Sequence, residues 1–431
     1  MENKLEKIVS LCKRRGFIFP GSEIYGGISG FYDFGPLGAE LKFNIKQEWW
    51  NDIVRMRDDV VGLSATIIMS PKVWEASGHV SGFTDPLIEC KKCHQRIRPT
   101  MTGRLPAEEI CPNCGGKKFT ESKQFNLMFK TFVGPVEDSA SVAYLRPETA
   151  GGIFTNFKNV VDTMRVRVPF GIAQIGRAFR NEVNPKDYVF RTREFEQMEL
   201  EYFVKPGDDD KEYELWVSER FKWYEKIGLK NIRKSPQPKE ELAHYSKGTT
   251  DIEYEFPFGW KEIEGIANRT DFDLKAHSRG SGQELSYTNP DTNEKYVPYV
   301  IEPSAGVDRI ALAVLCDAYH EDGDRVVLKL HPKLSPHKAA VFPLLANKPQ
   351  LVEKAHQVFK DLKTAGLNVA WDDRGNIGKR YYSQDEIGTP SCITIDFQTL
   401  DDDTVTIRDR DTMEQKRVSI SAIQDVLTSA L

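Results

Sequence analysis

The sequence predicts a mixed α and β protein with two domains, and three observations carry this prediction. Residues 142–204 alternate short apolar runs with turns, and residues 251–274 and 285–302 form two further strand-like blocks, which is typical of strands in a sheet. A Pro-rich stretch that begins at His331 indicates a domain boundary near residue 330. Beyond it, strands and helices alternate over about 100 residues, as in an α/β module.

The composition is that of an ordinary globular protein and by itself indicates no partner. The 431 residues include 59 Lys and Arg against 64 Asp and Glu, so no basic excess points to nucleic acid, although a local patch can still bind phosphates. No apolar run approaches the roughly 20 residues of a membrane span. The first residues lack the apolar segment of a signal peptide. We therefore expect a cytoplasmic protein with no membrane contact.

The first domain opens with two predicted helices. Apolar residues from position 5 to position 12 recur at helical spacing, and this segment ends at Gly16. A Gly-rich stretch with interleaved aromatic residues follows. A second helical pattern runs over residues 41–56, after Pro36.

The middle of the chain alternates strands with one charged helix. Residues 194–204 alternate apolar and acidic side chains, which predicts a strand with acidic residues on one face. The charged run 211–227 predicts a helix, and the Pro- and Lys-rich stretch 231–247 predicts a surface loop. An apolar helix is expected over residues 305–316.

The last part of the chain shows the alternation of an α/β module. Apolar runs predict strands, and amphipathic runs predict helices between them. The predicted elements are strand 338–345, helix 350–365, strand 367–371, helix 378–387, strand 391–396 and a final strand and helix.

Four of the seven cysteines form two C-x₂-C pairs, with 17 residues between the pairs. Four thiolates at this spacing suit a closed, tetrahedral, structural Zn²⁺ site, so Cys90, Cys93, Cys111 and Cys114 are the candidate ligands. A c-type haem attachment at CKKCH, disulfides and unliganded thiols are the alternatives. The other three cysteines have apolar neighbours and are expected in the core.

Nucleotide binding would need a device other than a Walker loop, because the sequence contains none. Residues 176–182 and 190–195 flank a predicted hairpin loop with arginine and glutamate at both ends. Arginine forks suit phosphate oxygens, and Phe195 offers a flat face to a base. The alternative is a charged hairpin with paired side chains across two strands.

A second candidate phosphate element lies at residues 302–309, which open an apolar helix. Gly306 permits close backbone approach, Arg309 would project from the first turn, and a helix N-terminus favours anions. The alternative is a helix cap with an arginine that faces solvent.

These elements carry a resemblance to a known family. The strings FRNE, FRTREFEQME and EPSAGVDR resemble motifs 2 and 3 of class II aminoacyl-tRNA synthetases, and YDFGPLG resembles motif 1. Over nearly the whole chain, further strings resemble the dimeric type of glycyl-tRNA synthetase. They are RGFIFPGSEIYGG, PKVWEASGH, LRPETA, GIANRTDFDL and HPKLSPHKAAVFPL.

The resemblance implies an α+β fold. Residues 1–330 would form a class II catalytic domain, a six-stranded antiparallel sheet flanked by helices. It would carry a zinc-ribbon-like insert at about 88–118 and a helical insert at about 205–250. Residues 331–431 would form an α/β anticodon-binding domain, and the protein would be a homodimer.

The implied activity is that of a glycine–tRNA ligase. Such an enzyme joins glycine to ATP as glycyl-adenylate, releases pyrophosphate, and transfers glycine to the 3′ end of tRNA(Gly). Positioning and charge stabilisation suffice for both steps, so no protein nucleophile is expected. A class II synthetase for threonine, proline or serine and a non-catalytic synthetase-like protein are the alternatives.

The resemblance implies an ATP site in which Arg180 bridges the substrate carboxylate and the α-phosphate. Phe195 would stack on adenine with Arg309 on its other face, and Glu262 would help to hold Mg²⁺. The implied ATP-binding residues are Arg180, Asn181, Glu182, Phe190, Arg191, Thr192, Arg193, Glu194, Phe195, Glu262, Ile263, Gly306, Val307, Asp308 and Arg309.

The resemblance also implies a glycine site, in which acidic side chains surround the ammonium group. Two departures from the family pattern bear on it: Gly151 replaces a usual Gln, and Pro99 follows Arg98. The implied glycine-binding residues are Arg98, Glu148, Phe195, Glu196, Gln197, Met198, Glu199, Arg269, Glu302, Pro303, Ser304, Ala305 and Gly306.

The C-terminal module has nearly balanced charge, so its composition does not indicate RNA binding. A cluster over residues 374–382 combines Arg374, Lys379 and Arg380 with Tyr381 and Tyr382. Such a cluster can bind phosphate and stack unpaired bases. The alternative is a solvated, charged helix, and only the family resemblance favours contact with the anticodon.

Overall fold

The computed structural model of the protein describes residues 4–97, 110–111, 113–243 and 245–429. The first helix ends before Gly16, as predicted. The second begins at Pro36, earlier than expected, and passes into a π-type turn after Trp50. The elements of this part are α1 (Lys4–Arg15), β1 (Ile18–Pro20), β2 (Tyr32–Phe34), α2 (Pro36–Trp50), β3 (Val60–Leu63), β4 (Ile68–Met69), α3 (Pro71–Ala76), α4 (His79–Gly82), β5 (Thr84–Glu89), β6 (Arg96–Ile97), β7 (Lys123–Asn126), β8 (Lys130–Phe132) and β9 (Val142–Leu145).

The middle of the chain contains the long strands. The alternating segment 194–204 is a strand, and the charged run near 211–227 is a helix, so both predictions are confirmed. The elements are α5 (Ala150–Met164), β10 (Phe170–Phe179), β11 (Glu194–Val204), α6 (Asp209–Lys226), β12 (Ile232–Pro236), β13 (Gly248–Phe256), β14 (Gly259–Thr270), α7 (Phe272–Ser281), β15 (Tyr287–Thr288), β16 (Lys295–Tyr296), β17 (Tyr299–Gly306), α8 (Val307–Ala318), β18 (Tyr319–Asp322) and β19 (Arg325–Leu328).

The C-terminal part has the predicted alternation up to β22, and then one helix and one strand more than expected. Its five-stranded sheet has the order β21–β20–β22–β23–β24, with parallel pairs around β20 and antiparallel pairs beyond β22. The elements are β20 (Ala339–Pro343), α9 (Pro349–Thr364), β21 (Val369–Trp371), α10 (Ile377–Glu386), β22 (Ser391–Ile395), α11 (Phe397–Asp402), β23 (Thr404–Asp409), β24 (Gln415–Ser419) and α12 (Ile423–Ser429).

The large sheet has the order β12–β13–β14–β17–β11–β10–β3. Six neighbouring strands are antiparallel, which confirms the predicted sheet, and β3 adds a parallel edge strand next to β10. The surface loop predicted over 231–247 is wrong, because Ile232–Pro236 forms edge strand β12. A Pro- and Lys-rich strand is tolerated at an edge, where one side of its backbone needs no ladder partner.

The core lies mainly on one face of the large sheet. Helix α8 is apolar on nearly all sides and packs against that face, together with Met198 and Leu200 of β11. Cys12 and Cys316 are buried in this core, and Cys392 in the C-terminal sheet, as predicted. This core does not cover the opposite face of the large sheet, part of which is open.

The C-terminal sheet is joined to the first part of the chain by buried ion pairs. The carboxylate of Asp385 on α10 accepts from Arg325 of β19 at 2.8 Å and from Arg408 of β23 at 3.0 Å. All three side chains are buried, so the position of α10 depends on both neighbours. Among the described residues, no helix combines the length and the apolar character needed to cross a bilayer.

Gly38 provides a test of the packing at the start of α2. A Cβ atom there would lie 1.9 Å from the carbonyl oxygen of Phe17, which is backbone and cannot move aside cheaply. We expect Gly38→Ala to lower the free energy of unfolding by about 1–3 kcal/mol, measured by chemical denaturation. The control is Gly82→Ala, where a Cβ atom would meet nothing within 4 Å. Equal stability of the two variants would contradict this packing.

Candidate active site

A cleft of about 370 Å³ lies on the open face of the large sheet. Its floor is formed by β11, β14 and β17, and its walls by the β10–β11 loop, the β12–β13 segment and the start of α8. The lining residues are Glu148, Arg180, Glu182, Val189, Phe190, Arg191, Thr192, Phe195, Gln197, Glu199, Gln237, Glu241, Ala243, Tyr245, Thr249, Asp251, Glu262, Gly265, Ala267, Arg269, Glu302, Ser304, Ala305, Gly306, Asp308 and Arg309.

Strand alternation decides which side chains of β11 reach the cleft. Phe195, Gln197 and Glu199 line it, whereas Met198 between them is buried in the core on the other face. The antiparallel register places Glu199 opposite Ser304 of β17. The sheet therefore collects polar groups from separate parts of the chain at one place.

Two buried carboxylates of the floor have fixed partners. Glu199 accepts hydrogen bonds from the hydroxyls of Ser304, at 2.7 Å, and Thr149. Both oxygens of Glu302 lie 2.9 Å from one Nη atom of Arg269. These contacts hold the two carboxylates with oxygen atoms directed into one region of the cleft.

Arg269 is itself held on three sides. Its Nε and second Nη donate to the two oxygens of Asp273 at 2.7 and 2.9 Å. Its guanidinium lies 3.9 Å from the ring centroid of Tyr245. The buried cation therefore bridges α7 and β17 and leaves little freedom to the Glu302 side chain.

The third acidic group, Glu148, is paired with His79. The distance from His79 Nε2 to Glu148 Oε2 is 3.4 Å, and Ser77 Oγ lies 2.8 Å from His79 Nδ1. Burial opposes ionisation of Glu148, but His79, Arg269 and Arg180 lower its pKa to about 2. The carboxylate is therefore charged over the whole physiological range.

The pKa values of the two floor carboxyl groups are shifted in the opposite direction, upwards. Burial raises the pKa of Glu199, and the charge of Glu148 adds to the rise. Burial likewise raises the pKa of Glu302 to about 8, although Arg269 opposes the shift. A cation that enters the cleft would stabilise the ionised form of both groups, so this end of the cleft suits an ammonium group.

Two arginines lie towards the other end of the cleft, each against an aromatic ring, and Arg180 is the nearer of the two to Glu148. The guanidinium of Arg180 is 5.3 Å from the ring of Phe195, and its Nε donates to the carbonyl of Pro147. Arg309 lies 4.6 Å from the ring of Phe190, rather than against Phe195. Adenine was expected to lie between the ring of Phe195 and the guanidinium of Arg309. Phe190, which carries Arg309 on its ring, is a second aromatic residue at this place.

The loop between β10 and β11 adds charge to the same end. Arg191 lies 3.5 Å from Glu182, and Arg309 lies 3.3 Å from Glu262. Both pairs face the cleft and are partly exposed. An anionic ligand can therefore compete for these guanidinium groups without unfolding the loop.

Several residues of the implied ATP and glycine sites do not line the cleft. Strand alternation turns Glu196, Met198 and Pro303 to the other face, and Ile263 and Val307 are buried in the core. The backbone N–H of Asn181 donates to the carbonyl of Leu127, Arg193 donates to backbone carbonyls, and Glu194 pairs with Arg177. Arg98, with Pro99, lies outside the described residues.

Asp308 lines the cleft but is bound within the protein. Its carboxylate accepts from Lys42 Nζ at 2.6 Å and from the backbone N–H of Glu196 at 2.8 Å. The Glu196 side chain accepts from Lys42 and Lys46 at 2.8 Å. This buried network links α2, β11 and α8, so it holds the three motif elements in a fixed relation.

The Gly151 position is explained by packing. A Cβ atom there would lie 2.9 Å from the indole ring of Trp74, which is fully buried. A larger side chain at position 151 would have to displace this ring. The α3 and α5 helices can therefore approach closely at the edge of the cleft.

Several residues of the cleft were not among the predicted site residues. Gln237 and Tyr245 lie in the stretch 231–247, where a surface loop was predicted, and Asp251 lies in a segment predicted only as a strand. Asp251 accepts from Gln237 Nε2 at 2.9 Å. Burial and the neighbouring Glu262 and Glu253 raise the pKa of Asp251 to about 6. His79 lies within the string PKVWEASGH, and the resemblance of this string to the family is the sequence feature that could have indicated a residue of the site.

The four predicted metal-ligating cysteines lie together. Their sulfur atoms are all within 4.8 Å of one another, and the Cys90–Cys114 and Cys93–Cys111 distances are 3.6 Å. Gly115 adopts a positive φ of 67° in the turn that brings the second pair to the first. The cluster can hold a tetrahedral metal ion, and the four thiols suit a soft or borderline cation.

The predicted RNA-binding cluster of the C-terminal part is divided by the fold. Arg380 is 2% exposed and donates to four backbone carbonyls, and Tyr381 bonds to Thr394. Arg374, Lys379 and Tyr382 are exposed at the start of α10. Two members are therefore structural, and the other three remain available to a ligand.

Comparison with known proteins gives consistent matches. The family described as tRNA synthetase class II core domain (G, H, P, S and T) matches residues 135–319, and the Anticodon binding domain matches residues 338–430. The chain is 54% identical to a glycine–tRNA ligase of Streptomyces coelicolor, over 100% of this chain and 99% of the relative. It is 52% identical to one of Alkaliphilus oremlandii, with the same coverage. For one of Bifidobacterium longum the identity is 51%, over 100% of this chain and 93% of the relative.

The raised pKa of Asp251 predicts a pH-dependent stability. Because its pKa is higher in the folded than in the unfolded chain, the stability from its proton is full below about pH 4 and is lost as the pH rises through about 6. Without divalent cations, we expect the melting temperature of Asp251→Asn, relative to the parent, to increase over this range and then level off. The control is the exposed Asp324→Asn, and a constant difference for Asp251→Asn would contradict the assignment.

Proposed function

This chain belongs to the glycine–tRNA ligases of the class II aminoacyl-tRNA synthetase family, and we propose that its cleft forms glycyl-adenylate and passes glycine to tRNA(Gly). The division of charge within the cleft carries the proposal. Carboxylates gather at one end, where Glu148, Glu199 and Glu302 suit an ammonium group. Arginines gather at the other, where they suit a triphosphate.

The first step is an in-line attack of the glycine carboxylate on the α-phosphate of ATP. Arg180 lies between the two ends and bridges the carboxylate and the α-phosphate. Its guanidinium stabilises charge on the phosphoryl oxygens without moving far, because Phe195 and the Pro147 carbonyl already orient it. The floor carboxylates hold the ammonium group, so the nucleophile and phosphorus are kept in contact.

The arginines of the loop and of α8 bind the rest of ATP. Arg191 and Arg309 exchange their carboxylate partners for the β- and γ-phosphates, and Glu182 then accepts from the adenine amino group. The base stacks on the ring of Phe195, and Arg309, whose guanidinium lies over the ring of Phe190, covers the other face of the base. In the second step, a ribose hydroxyl at the 3′ end of tRNA attacks the carbonyl carbon of the adenylate; the acyl–phosphate bond breaks, AMP leaves, and the hydroxyl proton passes to its phosphate.

Mg²⁺ would be held on the β13–β14 wall. Asp251 Oδ1 and Glu262 Oε1 lie 3.5 and 3.9 Å from a Cβ built on Gly265, so two carboxylate oxygens approach the same small space. Oxygen donors of this kind suit a hard divalent cation, and the ion would neutralise charge on the phosphates. Gly265 keeps the space beside both groups free.

The glycine site selects by exclusion. Glycine has no side chain to recognise, so a closed pocket rejects alanine and larger amino acids by overlap. The buried contacts of Glu199 and Glu302 leave these groups little room to retreat. No amino acid is smaller than glycine, and selectivity therefore requires no second site for hydrolysis of wrong products.

We expect pyrophosphate exchange into ATP to be supported by glycine and not by alanine, serine, threonine or proline. Arg180→Ala should lower this exchange about 100- to 1,000-fold, because it removes the cation beside the reacting phosphate. The matched control is Arg177→Ala, an exposed arginine near the end of β10, three residues before Arg180. Exchange with serine or alanine but not glycine would refute the proposal, and no exchange at all would favour a non-catalytic relative.

We propose that the cysteine cluster binds Zn²⁺ as a structural ion. Four sulfurs within 4.8 Å of one another suit Zn–S bonds of about 2.3 Å. Metal analysis of protein purified without added metal should therefore find about one zinc per chain. The matched variant is Cys93→Ser, which removes one ligand and should lower the zinc content. A parent protein with a small fraction of one zinc, in the absence of chelators, would contradict the assignment.

Residues 1–330 are proposed as the catalytic domain and residues 331–431 as the anticodon-binding domain. The exposed Arg374, Lys379 and Tyr382 would contact tRNA, because they combine cations with a ring that can stack on a base. Such a translation enzyme is expected in the cytoplasm. Loss of tRNA charging but not of pyrophosphate exchange in Arg374→Ala would support this division, and equal loss of both would contradict it.

A homodimer is proposed from the surface around α2. Four apolar side chains of this region are well exposed: Ile24, Tyr25, Ile28 and Phe43. These side chains lie within residues 24–43, and exposed apolar surface of this kind marks interaction sites; a second copy of the chain is the partner that the family implies. A monomeric mass in light scattering at micromolar concentration would contradict this proposal.

A further inference from the structure

One buried carboxyl group next to the floor of the cleft has no assigned task. Glu201 lies two residues beyond Glu199 on β11 and points to the same face of the sheet. The register of β11 with β17 pairs Glu199 with Ser304 and Tyr202 with Ile301, so Glu201 is directly opposite Glu302. Its side chain is completely buried.

Among the residues that the structure describes, neither oxygen of the Glu201 carboxyl group has a hydrogen-bond partner. One carboxylate oxygen from each of Glu199, Glu201 and Glu302 lies within 4.8 Å of the other two. The hydroxyls nearby already donate to Glu199, and Arg269 already donates to Glu302. Glu201 therefore sits beside two satisfied carboxylates without a donor of its own.

A charged Glu201 would be unstable at this position. It faces the carboxylates of Glu199, Glu302 and Asp273, and the nearby cation Arg269 is already shared by two of them. An unpaired buried charge is far more costly than a buried neutral acid. Burial, together with the charge of Glu302, raises the pKa of Glu201 well above its usual range.

A protonated Glu201 carries an O–H donor, which an ionised neighbour can accept. An O–H group within 4.8 Å of two carboxylates needs only a rotation of its side chain to reach one of them. A hydrogen bond from a neutral donor to a buried carboxylate is strong. Glu302 is the nearer hydrogen-bond acceptor, because Glu201 and Glu302 lie side by side on paired strands.

We propose that Glu201 is a positioning residue of the glycine site, which donates a hydrogen bond to Glu302 and so fixes the carboxylate that receives the substrate ammonium group. The inference rests on the proposed function, because the glycine site is part of it. Glu201 does not touch the substrate, since no atom of its side chain reaches the cleft surface. It acts through Glu302, on the side opposite to Arg269.

Two substitutions test separately whether Glu201 acts through its hydrogen-bond donor, through a negative charge or through its volume. Glu201→Gln keeps a neutral donor of the same size, and Glu201→Met keeps the length without polar atoms. We expect Glu201→Gln to keep the KM for glycine within about threefold of the parent, with the same pH profile of kcat/KM. Glu201→Met should raise the KM for glycine about tenfold or more, with kcat and the KM for ATP within about threefold. The control is Glu255→Gln, which removes a charge at an exposed position of the same sheet.

Equal losses in the Gln and Met variants would show that a negative charge is required, which would overturn the proposal. A Met variant that behaves like the parent would show that Glu201 only fills space, which would also overturn it. If the Met variant does not fold, infrared spectroscopy provides the test. With glycine bound at neutral pH, the parent should show more absorption from protonated carboxyl groups than Glu201→Gln, and identical spectra would overturn the proposal. Absence of glycine-dependent exchange in the parent would refute the proposed function instead, and the infrared result would still report on Glu201.

Discussion

The cleft depends on the contacts that the buried guanidinium of Arg269 makes. The guanidinium binds Glu302 on one side and Asp273 on the other, and it lies on the ring of Tyr245. Acidic groups at this density would repel one another in a medium of low dielectric constant. With Arg269 in place, the repulsion is offset, and the carboxylates can be held without water around them. Removing one partner of such a pair usually costs about 3–5 kcal/mol.

The large sheet makes this arrangement possible because it brings distant segments into register. Glu199 and Ser304 are more than a hundred residues apart in sequence and are paired on adjacent strands. Behind the sheet, α8 fills the other face with apolar side chains. The Lys42–Asp308 contact then attaches α2 to the same frame. The chemistry of the cleft therefore rests on a rigid floor rather than on loops.

The walls of the cleft differ from the floor in how they are held. Arg191 and Arg309 are bound to single carboxylates at 3.3–3.5 Å, and they are partly exposed. Such weak surface pairs can give way to a ligand of higher charge. The floor thus supplies fixed selectivity, whereas the walls supply cations that can exchange partners. This difference matches a small substrate that must be recognised and a large one that must be bound and released.

Local patterns in the sequence predicted strand β11, helices α6 and α8 and the cysteine cluster, but neither β12 nor the additional helix and strand after β22. The alternation over 194–204 predicted β11 correctly, because side chains of a half-buried strand alternate regardless of what they pack against. The same reasoning failed for 231–247, where Pro and Lys suggested a loop and an edge strand was formed. The prediction also failed for Arg380. Its place in a cluster of cations and tyrosines suggested a phosphate ligand, but its guanidinium donates to backbone carbonyls instead.

The sequence by itself determined the family, the order of the elements and the chemical types available to the site. Only the tertiary structure decided which of these groups meet: that Tyr245 lies on Arg269, that His79 pairs with Glu148, and that Glu201 remains without a partner. The physical reason is that contacts between side chains depend on strand register and on burial by distant segments, which no local pattern encodes. Charge follows the same rule, because the ionisation of each carboxyl group depends on neighbours that the fold supplies.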